Sequence, residues 1–188
     1  MSRYLALALA LAIAAPAVAQ PPNPAALQAA EREAMARLAI MDGVWRGTAW
    51  TMTPAGQHDV VHTERIGPFL GGAVKVIEGR SYNPDGSVGF NAFGIVSYNP
   101  ATKAYSLHSY AMGFAGDFPL EVRPDGYVWQ TPAGPGAIVR YTATIKDGAW
   151  REVGERIADG GAPMQVFEMN LKRVGDSRWP GADPVPMK

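Results

Sequence analysis

The chain has 188 residues, no cysteine, and seventeen basic and seventeen acidic residues that give a formal net charge of zero. Because the charges are dispersed along the sequence, no basic or acidic footprint indicates nucleic acid or an anionic lipid surface as a partner. The lack of cysteine excludes disulfides, thiolate nucleophiles and cysteine metal sites. The length is that of one domain with a single hydrophobic core.

The first nineteen residues have the organisation of a secretory signal. Arg3 precedes an apolar run from Leu5 to Ala15, and the small residues Ala17-Val18-Ala19 follow. This pattern predicts cleavage before Gln20 and export to the periplasm or the medium. The run is too short to span a membrane and lacks the charged face of an amphipathic anchor, so no transmembrane segment is expected after cleavage.

One amphipathic helix is predicted over 24–41. Asn23 and Pro24 suit the N-cap and the first helical position. Apolar residues then recur at helical spacing: Leu27, Ala30, Ala34, Leu38 and Met41. Asp42-Gly43 ends the pattern, and no later segment shows a helical period.

From residue 44 onward, the chain is divided by turn-forming residues into about ten short segments rich in strand formers. The predicted turns include Asn83-Pro84-Asp85-Gly86, Gly116-Asp117, Arg123-Pro124-Asp125-Gly126 and Lys146-Asp147-Gly148. Ten sequential strands close most economically into an antiparallel up-and-down barrel, because closure removes unpaired edges. We therefore expect an all-β barrel domain over 20–174, including the helix, and a proline-rich tail over 175–188 that forms an extended strap or a disordered end.

The inward face of the last strands depends on one loop. Apolar residues alternate at odd positions on both arms of the final hairpin: Val153 and Ile157, then Phe167, Met169 and Leu171. Reading Lys146-Asp147-Gly148 as a three-residue loop places these residues and Tyr141 inside together. Glu155 then points into the barrel. A two-residue Asp-Gly turn would instead oppose Ile145 to Trp150 and reverse one strand.

Four residues are candidates for ligand binding in the interior: His108, Tyr110, Tyr141 and Glu155. His108 and Tyr110 share one face of a presumed strand, and a histidine in an aromatic cavity could act as acid or base. His62 and Glu64 face the same way, and we interpret them as an exposed pair, because two ligands do not make a metal site. No residue is assigned as catalytic.

An ordered set of short motifs carries a resemblance to known barrels. The set comprises Leu38 to Gly47, Phe69-Leu70-Gly71-Gly72, Asp85-Gly86, Trp150-Arg151-Glu152 with Gly154-Glu155, and Phe167-Glu168-Met169 with Leu171 and Arg173. It resembles the calycins, the lipocalin and fatty-acid-binding barrels, and more narrowly a bacterial calycin-like family known as domain of unknown function number fifteen seventy-nine. The resemblance implies that Trp45 plugs the closed end and that Arg173 packs across its indole, a structural pair.

Two calycin branches carry specific ligands that this sequence does not match. The fatty-acid-binding branch implies an Arg-x-Tyr on the last strand, whereas 167–173 contains no tyrosine. The nitrobindin-like branch implies a haem-ligating histidine near the chain end, whereas the last histidine is His108. We therefore predict neither cofactor nor metal.

Three functions remain open at this point. The first is an exported barrel that binds a small, mostly apolar ligand in its interior. The second is an enzyme that uses the cavity, with His108 or Glu155 as acid or base. The third is a structural or envelope-interaction module with a filled core. The sequence specifies no oligomeric state.

Overall fold

A computed structural model describes residues 23–181 of the chain. The predicted signal over 1–19 and the last part of the tail, 182–188, lie outside the described residues.

The N-terminal helix is shorter than predicted. Helix α1 spans Pro24–Ala36, and the Asn23 side chain accepts a hydrogen bond from the Ala25 N–H at 3.0 Å. A short 3-10 turn, Ala39–Met41, follows. The break arises because the N–H of Arg37 and that of Leu38 bond to carbonyls three residues back, which tightens the last turn.

Ten strands form one closed antiparallel barrel in which each strand pairs with its sequence neighbours and β1 pairs with β10. The all-β barrel with one N-terminal helix is therefore confirmed. The strands are β1 (Gly43–Thr53), β2 (Gly56–Phe69), β3 (Val74–Tyr82), β4 (Val88–Asn99), β5 (Ala104–Ala111), β6 (Phe114–Arg123), β7 (Gly126–Pro132), β8 (Ala137–Lys146), β9 (Ala149–Ala158) and β10 (Met164–Gly175).

One predicted turn is wrong. Gly116 and Asp117 lie inside β6, where they pair with Ser109 and His108 of β5. The chain instead turns at Met112-Gly113, both of which have positive φ. A methionine is a rare choice for that conformation, so the turn carries little sequence signal.

The helix and the 3-10 turn close one end of the barrel. Leu38 and Met41 are fully buried with Trp45 and Ile66 in the main apolar cluster. The Trp45 indole N–H donates to the Met41 carbonyl at 2.8 Å, and the Tyr105 hydroxyl donates to the Ala34 carbonyl at 3.0 Å. These bonds fix the helical segment to the barrel wall.

The prediction of a three-residue loop between β8 and β9 is wrong, and the strands pair in the alternative register of a two-residue turn. Asp147 and Gly148 both have positive φ and form a two-residue turn, so Ile145 stands opposite Trp150. A two-residue turn of this kind is favoured because its backbone twist matches the twist of the two strands that it joins. Trp150 is consequently buried inside, and Glu155 moves to the outer face.

The predicted pairing of Trp45 with Arg173 holds in strand register but not as a stacked pair. The two residues are partners across β1 and β10, next to a bulge. Arg173 donates from Nε to the Asp42 carbonyl at 3.1 Å, and its guanidinium lies against Gly43. Trp45 instead packs edge to face with Trp150, with ring centroids 5.5 Å apart.

The described part of the tail lies along β2. The Arg65 guanidinium stands 4.5 Å over the Trp179 ring, and the Trp179 carbonyl rests against Gly67. Between residues 23 and 181, we find no helix with both the length and the apolar character that crossing a membrane requires.

Candidate functional site

A cavity of about 1030 Å³ occupies the barrel interior. Met41 and Trp150 lie at its inner end, close to the helical segment. It extends toward the opposite end of the barrel, where the connections between β1 and β2 and between β3 and β4 lie. The residues at that mouth are Thr51, His58, Asn83, Asp85, Gly89 and Ala111.

Most of the lining is apolar or aromatic. It includes Val60, Ile77, Phe90, Val96, Leu107, Trp129, Tyr141, Phe167 and Met169. Trp129 and Tyr141 stack with ring centroids 4.5 Å apart and an interplanar angle of 15°. Gly154 makes room for this pair, because a Cβ atom there would lie 2.9 Å from the Tyr141 ring.

Glu152 is a carboxyl group buried in this lining. It is 6% exposed, and its two oxygens accept hydrogen bonds from different aromatic residues of β7. The Tyr127 hydroxyl donates to Oε2 at 2.7 Å, and the Trp129 indole N–H donates to Oε1 at 3.0 Å. Two donors from one strand therefore hold the carboxyl group in a fixed position.

Burial raises the pKa of the Glu152 carboxyl above its usual value, and the negative charge of Glu64 adds to this. The hydrogen bonds from Trp129 and Tyr127 act in the opposite direction, since they favour the ionised form. Burial, followed by the charge of Glu152, likewise raises the pKa of Tyr141 and puts that of Tyr127 well above its ordinary range. Both tyrosines are therefore neutral at physiological pH.

A second polar group lies on β2 and β3. His62 Nδ1 is 2.7 Å from the Ser81 hydroxyl, and His62 Nε2 is 2.9 Å from Glu64 Oε1. His62 is 5% exposed and Ser81 is 8% exposed, and both line the cavity. The expectation that His62 and Glu64 form an exposed pair is therefore wrong. Their inward face is set by Ile66, which has the same parity on β2 and is fully buried.

Two polar atoms of the cavity lining are buried without a hydrogen-bond partner: Glu64 Oε2 and Trp150 Nε1. The Trp150 indole lies near the Tyr127 hydroxyl oxygen but makes no bond of acceptable geometry. Glu64 occupies space left by Gly79, where a Cβ atom would lie 2.6 Å from Oε1. A buried carboxylate oxygen without a donor is costly, so this atom requires a donor from water or a ligand.

Among the described residues, no three histidine, aspartate or glutamate side chains are grouped closely enough to hold a metal ion.

His108 and Tyr110 lie on the outer surface, so their predicted inward orientation is wrong. Leu107 and Ser109 take the inner positions of β5. His108 Nδ1 is 2.7 Å from Asp117 on the neighbouring strand, and its ring packs against Tyr110, which is 51% exposed. The alternation was read correctly, but nothing in that strand's sequence showed which set faces inward.

Glu155 is also outside, where Arg140 donates to it at 2.9 Å. Its expected place in the lining is taken by Glu152, three residues earlier on the same strand. Tyr141 does line the cavity, as expected, and stacks on Trp129.

The sequence reasoning missed Glu152, Tyr127 and Ser81 as interior polar groups. The Asp147-Gly148 pair was the available signal, because Asp-Gly between two apolar runs is the strongest short-range mark of a two-residue hairpin. Taking that turn puts Trp150 and Glu152 inside. A bulge near Gln165 then keeps Phe167 inside as well, opposite Gly154.

The fold is similar to that of a mycobacterial protein, Rv2717c from M. tuberculosis, known from its crystal structure. The TM-score is 0.56 at 12% sequence identity, and the match covers 74% of this chain and 96% of that chain. At this identity the likeness concerns the fold alone. No protein-family model matches the chain, and no curated protein matches it significantly.

Proposed function

We propose that the protein binds a small, mostly apolar molecule inside the barrel. The observation that carries this proposal is the cavity of about 1030 Å³, whose mainly apolar wall holds a few fixed polar groups. Ligand sites in proteins have this size and this composition. The volume also argues against the alternative of a structural module with a filled core, which would leave room for one or two waters at most.

Binding is tested with a hydrophobic fluorescent probe that gains intensity on entering an apolar cavity, followed by displacement with extracted lipids. Ala92 lines the cavity, and Ala92→Trp would fill part of it. Ala115 is exposed on β6, so Ala115→Trp is the matched control. We expect saturable binding that is lost in the first variant and kept in the second. Absence of saturable binding to the unmodified protein would refute the proposal.

Export and calycin kinship belong to the same proposal. The signal pattern at the N-terminus supports export, with a mature chain that begins at Gln20. Kinship with the calycins is supported by the closed antiparallel meander and by the helical segment at one end of the barrel. Expressing the full chain in a bacterium and measuring the N-terminal mass in the periplasmic fraction tests export. A cytoplasmic protein that retains residues 1–19 would contradict it.

A second candidate function is ester hydrolysis, which the arrangement of Ser81, His62 and Glu64 favours. The serine hydroxyl lies 2.7 Å from one imidazole nitrogen, and the other nitrogen lies 2.9 Å from a carboxylate. In such a chain, the serine oxygen attacks the ester carbonyl while His62 takes its proton and passes it to the leaving alcohol. Water then cleaves the acyl-serine, and His62 returns the proton.

Turnover of a chromogenic apolar ester tests this second function. We expect Ser81→Ala to abolish turnover and leave probe binding unchanged, whereas Ser109→Ala, at another lining position without this histidine contact, should leave both unchanged. Turnover that survives Ser81→Ala would refute it.

A further inference from the structure

The charge of the cavity lining is one-sided. Between residues 23 and 181, the lining includes the carboxylates of Glu64, Glu152 and, at the mouth, Asp85, but neither lysine nor arginine. The buried Lys75 does not line the cavity, since its ammonium pairs with Asp42 beside the helical segment. Among the described lining residues, only His58 and His62 can carry positive charge. An anionic ligand would therefore enter without a permanent cation to receive it.

Of the two unsatisfied groups, Glu64 Oε2 points to a ligand that donates, whereas the Trp150 indole N–H requires an acceptor. Glu64 Oε1 is taken by His62, while Oε2 is buried and has no donor. The Trp150 side chain, 2% exposed and also part of the lining, has an indole N–H without a partner. Trp45 is a common neighbour of the two residues: it pairs with Glu64 in strand register, and its ring centroid lies 5.5 Å from that of Trp150.

Aromatic rings lie near both interior carboxyl groups or their partners. The stacked Trp129 and Tyr141 rings lie beside Glu152, and the Phe90 ring is 6.5 Å from that of His62. A ring face attracts a cation when water is excluded, and a carboxylate beside it offsets the cost of burying the charge. Fatty-acid carboxylates gain from neither effect.

We propose that the ligand is an apolar amine whose ammonium group donates to Glu64 Oε2 at the inner end of the cavity. This inference rests on the proposed interior binding and names the chemical class of the ligand. It predicts a ranking by head group for ligands with one common chain: amine first, alcohol second, carboxylate last.

The test compares decylamine, decanol and decanoate by calorimetry and by probe displacement on the folded chain, with the two ionic compounds below their micelle concentrations and decanol below its solubility limit. We expect decylamine to bind at least about tenfold more tightly than decanoate, which corresponds to about 1.4 kcal/mol. Ala92→Trp should abolish decylamine binding, which separates the cavity from the outer surface.

Three carboxamide variants locate the preference. Glu64→Gln is expected to reduce decylamine affinity about tenfold and to change decanol affinity little. Glu152→Gln, with the second interior carboxyl removed, should give a smaller loss. Glu155→Gln removes an exterior carboxyl on the same strand as Glu152 and should change nothing. Near-ultraviolet circular dichroism checks the packing of each variant.

The outcomes separate this inference from the function on which it rests. If decanol and the probe bind but decylamine gains no advantage, or if decanoate binds best, the amine assignment is wrong and interior binding stands. An advantage of decylamine that persists in Glu64→Gln would overturn the role of Glu64. If none of the ligands binds, both proposals fail.

Discussion

Replacing Tyr127 with phenylalanine tests whether the buried Glu152 carboxyl depends on its hydroxyl donor. The bond is 2.7 Å long and both residues are buried, so the substitution leaves a buried carboxyl oxygen without its protein donor. A hydrogen bond to a charged group contributes about 1.5–3 kcal/mol. For a domain of this size, that loss lowers Tm by roughly 3–12 °C.

The loss should depend on pH in a defined direction. The Tyr127 bond favours the ionised carboxyl and thereby lowers the pKa of Glu152, while burial raises it. Removing the hydroxyl therefore raises this pKa further. The difference in stability between the two proteins is largest above the folded pKa of Glu152, and it shrinks as the pH falls through that value toward the unfolded one.

Urea unfolding followed by tryptophan fluorescence measures this difference across a pH series that begins near the ordinary carboxyl pKa and rises well above it. Tyr110→Phe is the control, because that ring is 51% exposed, and we expect its effect to stay within about 0.5 kcal/mol. A Tyr127→Phe protein as stable as the parent would refute the reasoning. So would a loss that does not change across this pH series.

Three further substitutions test the remaining electrostatic and packing arguments. The stability of the parent should fall as the pH rises from the usual carboxyl pKa to the raised pKa of folded Glu152, and Glu152→Gln should lack this fall. Denaturant titrations across that pH range measure it, and a fall that persists in the variant would show that Glu152 is not its source. Gly79→Ala should destabilise by about 1–3 kcal/mol because its Cβ meets Glu64, whereas Gly175→Ala, which meets open space, should be close to neutral in the same urea assay. Hydrogen bonds from Asn170, Arg151 and Gln165 lower the pKa of Glu168 to about 2. The ionised Glu168 therefore stabilises the fold fully above the ordinary carboxyl pKa, and this contribution is lost as the pH falls toward about 2. Acid unfolding of Glu168→Gln should lack this pH-dependent loss of stability.

The architecture could be predicted from the sequence because its signals are local and repeated. Asn23-Pro24 marks the helix start, and turn formers separate ten strands whose lengths leave closure as the economical arrangement. The exceptions have physical causes. The helix gives way to a 3-10 turn after Ala36, and Met112 occupies a conformation that methionine seldom adopts.

The site could be predicted only in part, because the choice of which residues point into the barrel is made for a whole strand at once. Alternation on β5 groups His108 with Tyr110, but either set could face inward until neighbouring strands fix the register. On β9, the choice between a two-residue and a three-residue turn exchanged Glu155 for Glu152. Tyr141 was placed correctly because its strand carries Ala143 and Ile145, both buried, on the same face.

The interior polar groups also bear on why the barrel is hollow. A carboxyl group buried at Glu152 opposes folding at neutral pH, since its pKa is raised, and the unpartnered Glu64 Oε2 adds to that cost. An aliphatic residue at either position would remove the cost of the buried carboxyl group, although it would leave the donors that now bond to that group without a partner. Natural sequences depart from the most stable packing mainly at functional sites. The polar groups and the space beside them are thus best understood as one feature, which supports the proposal that the interior receives a ligand.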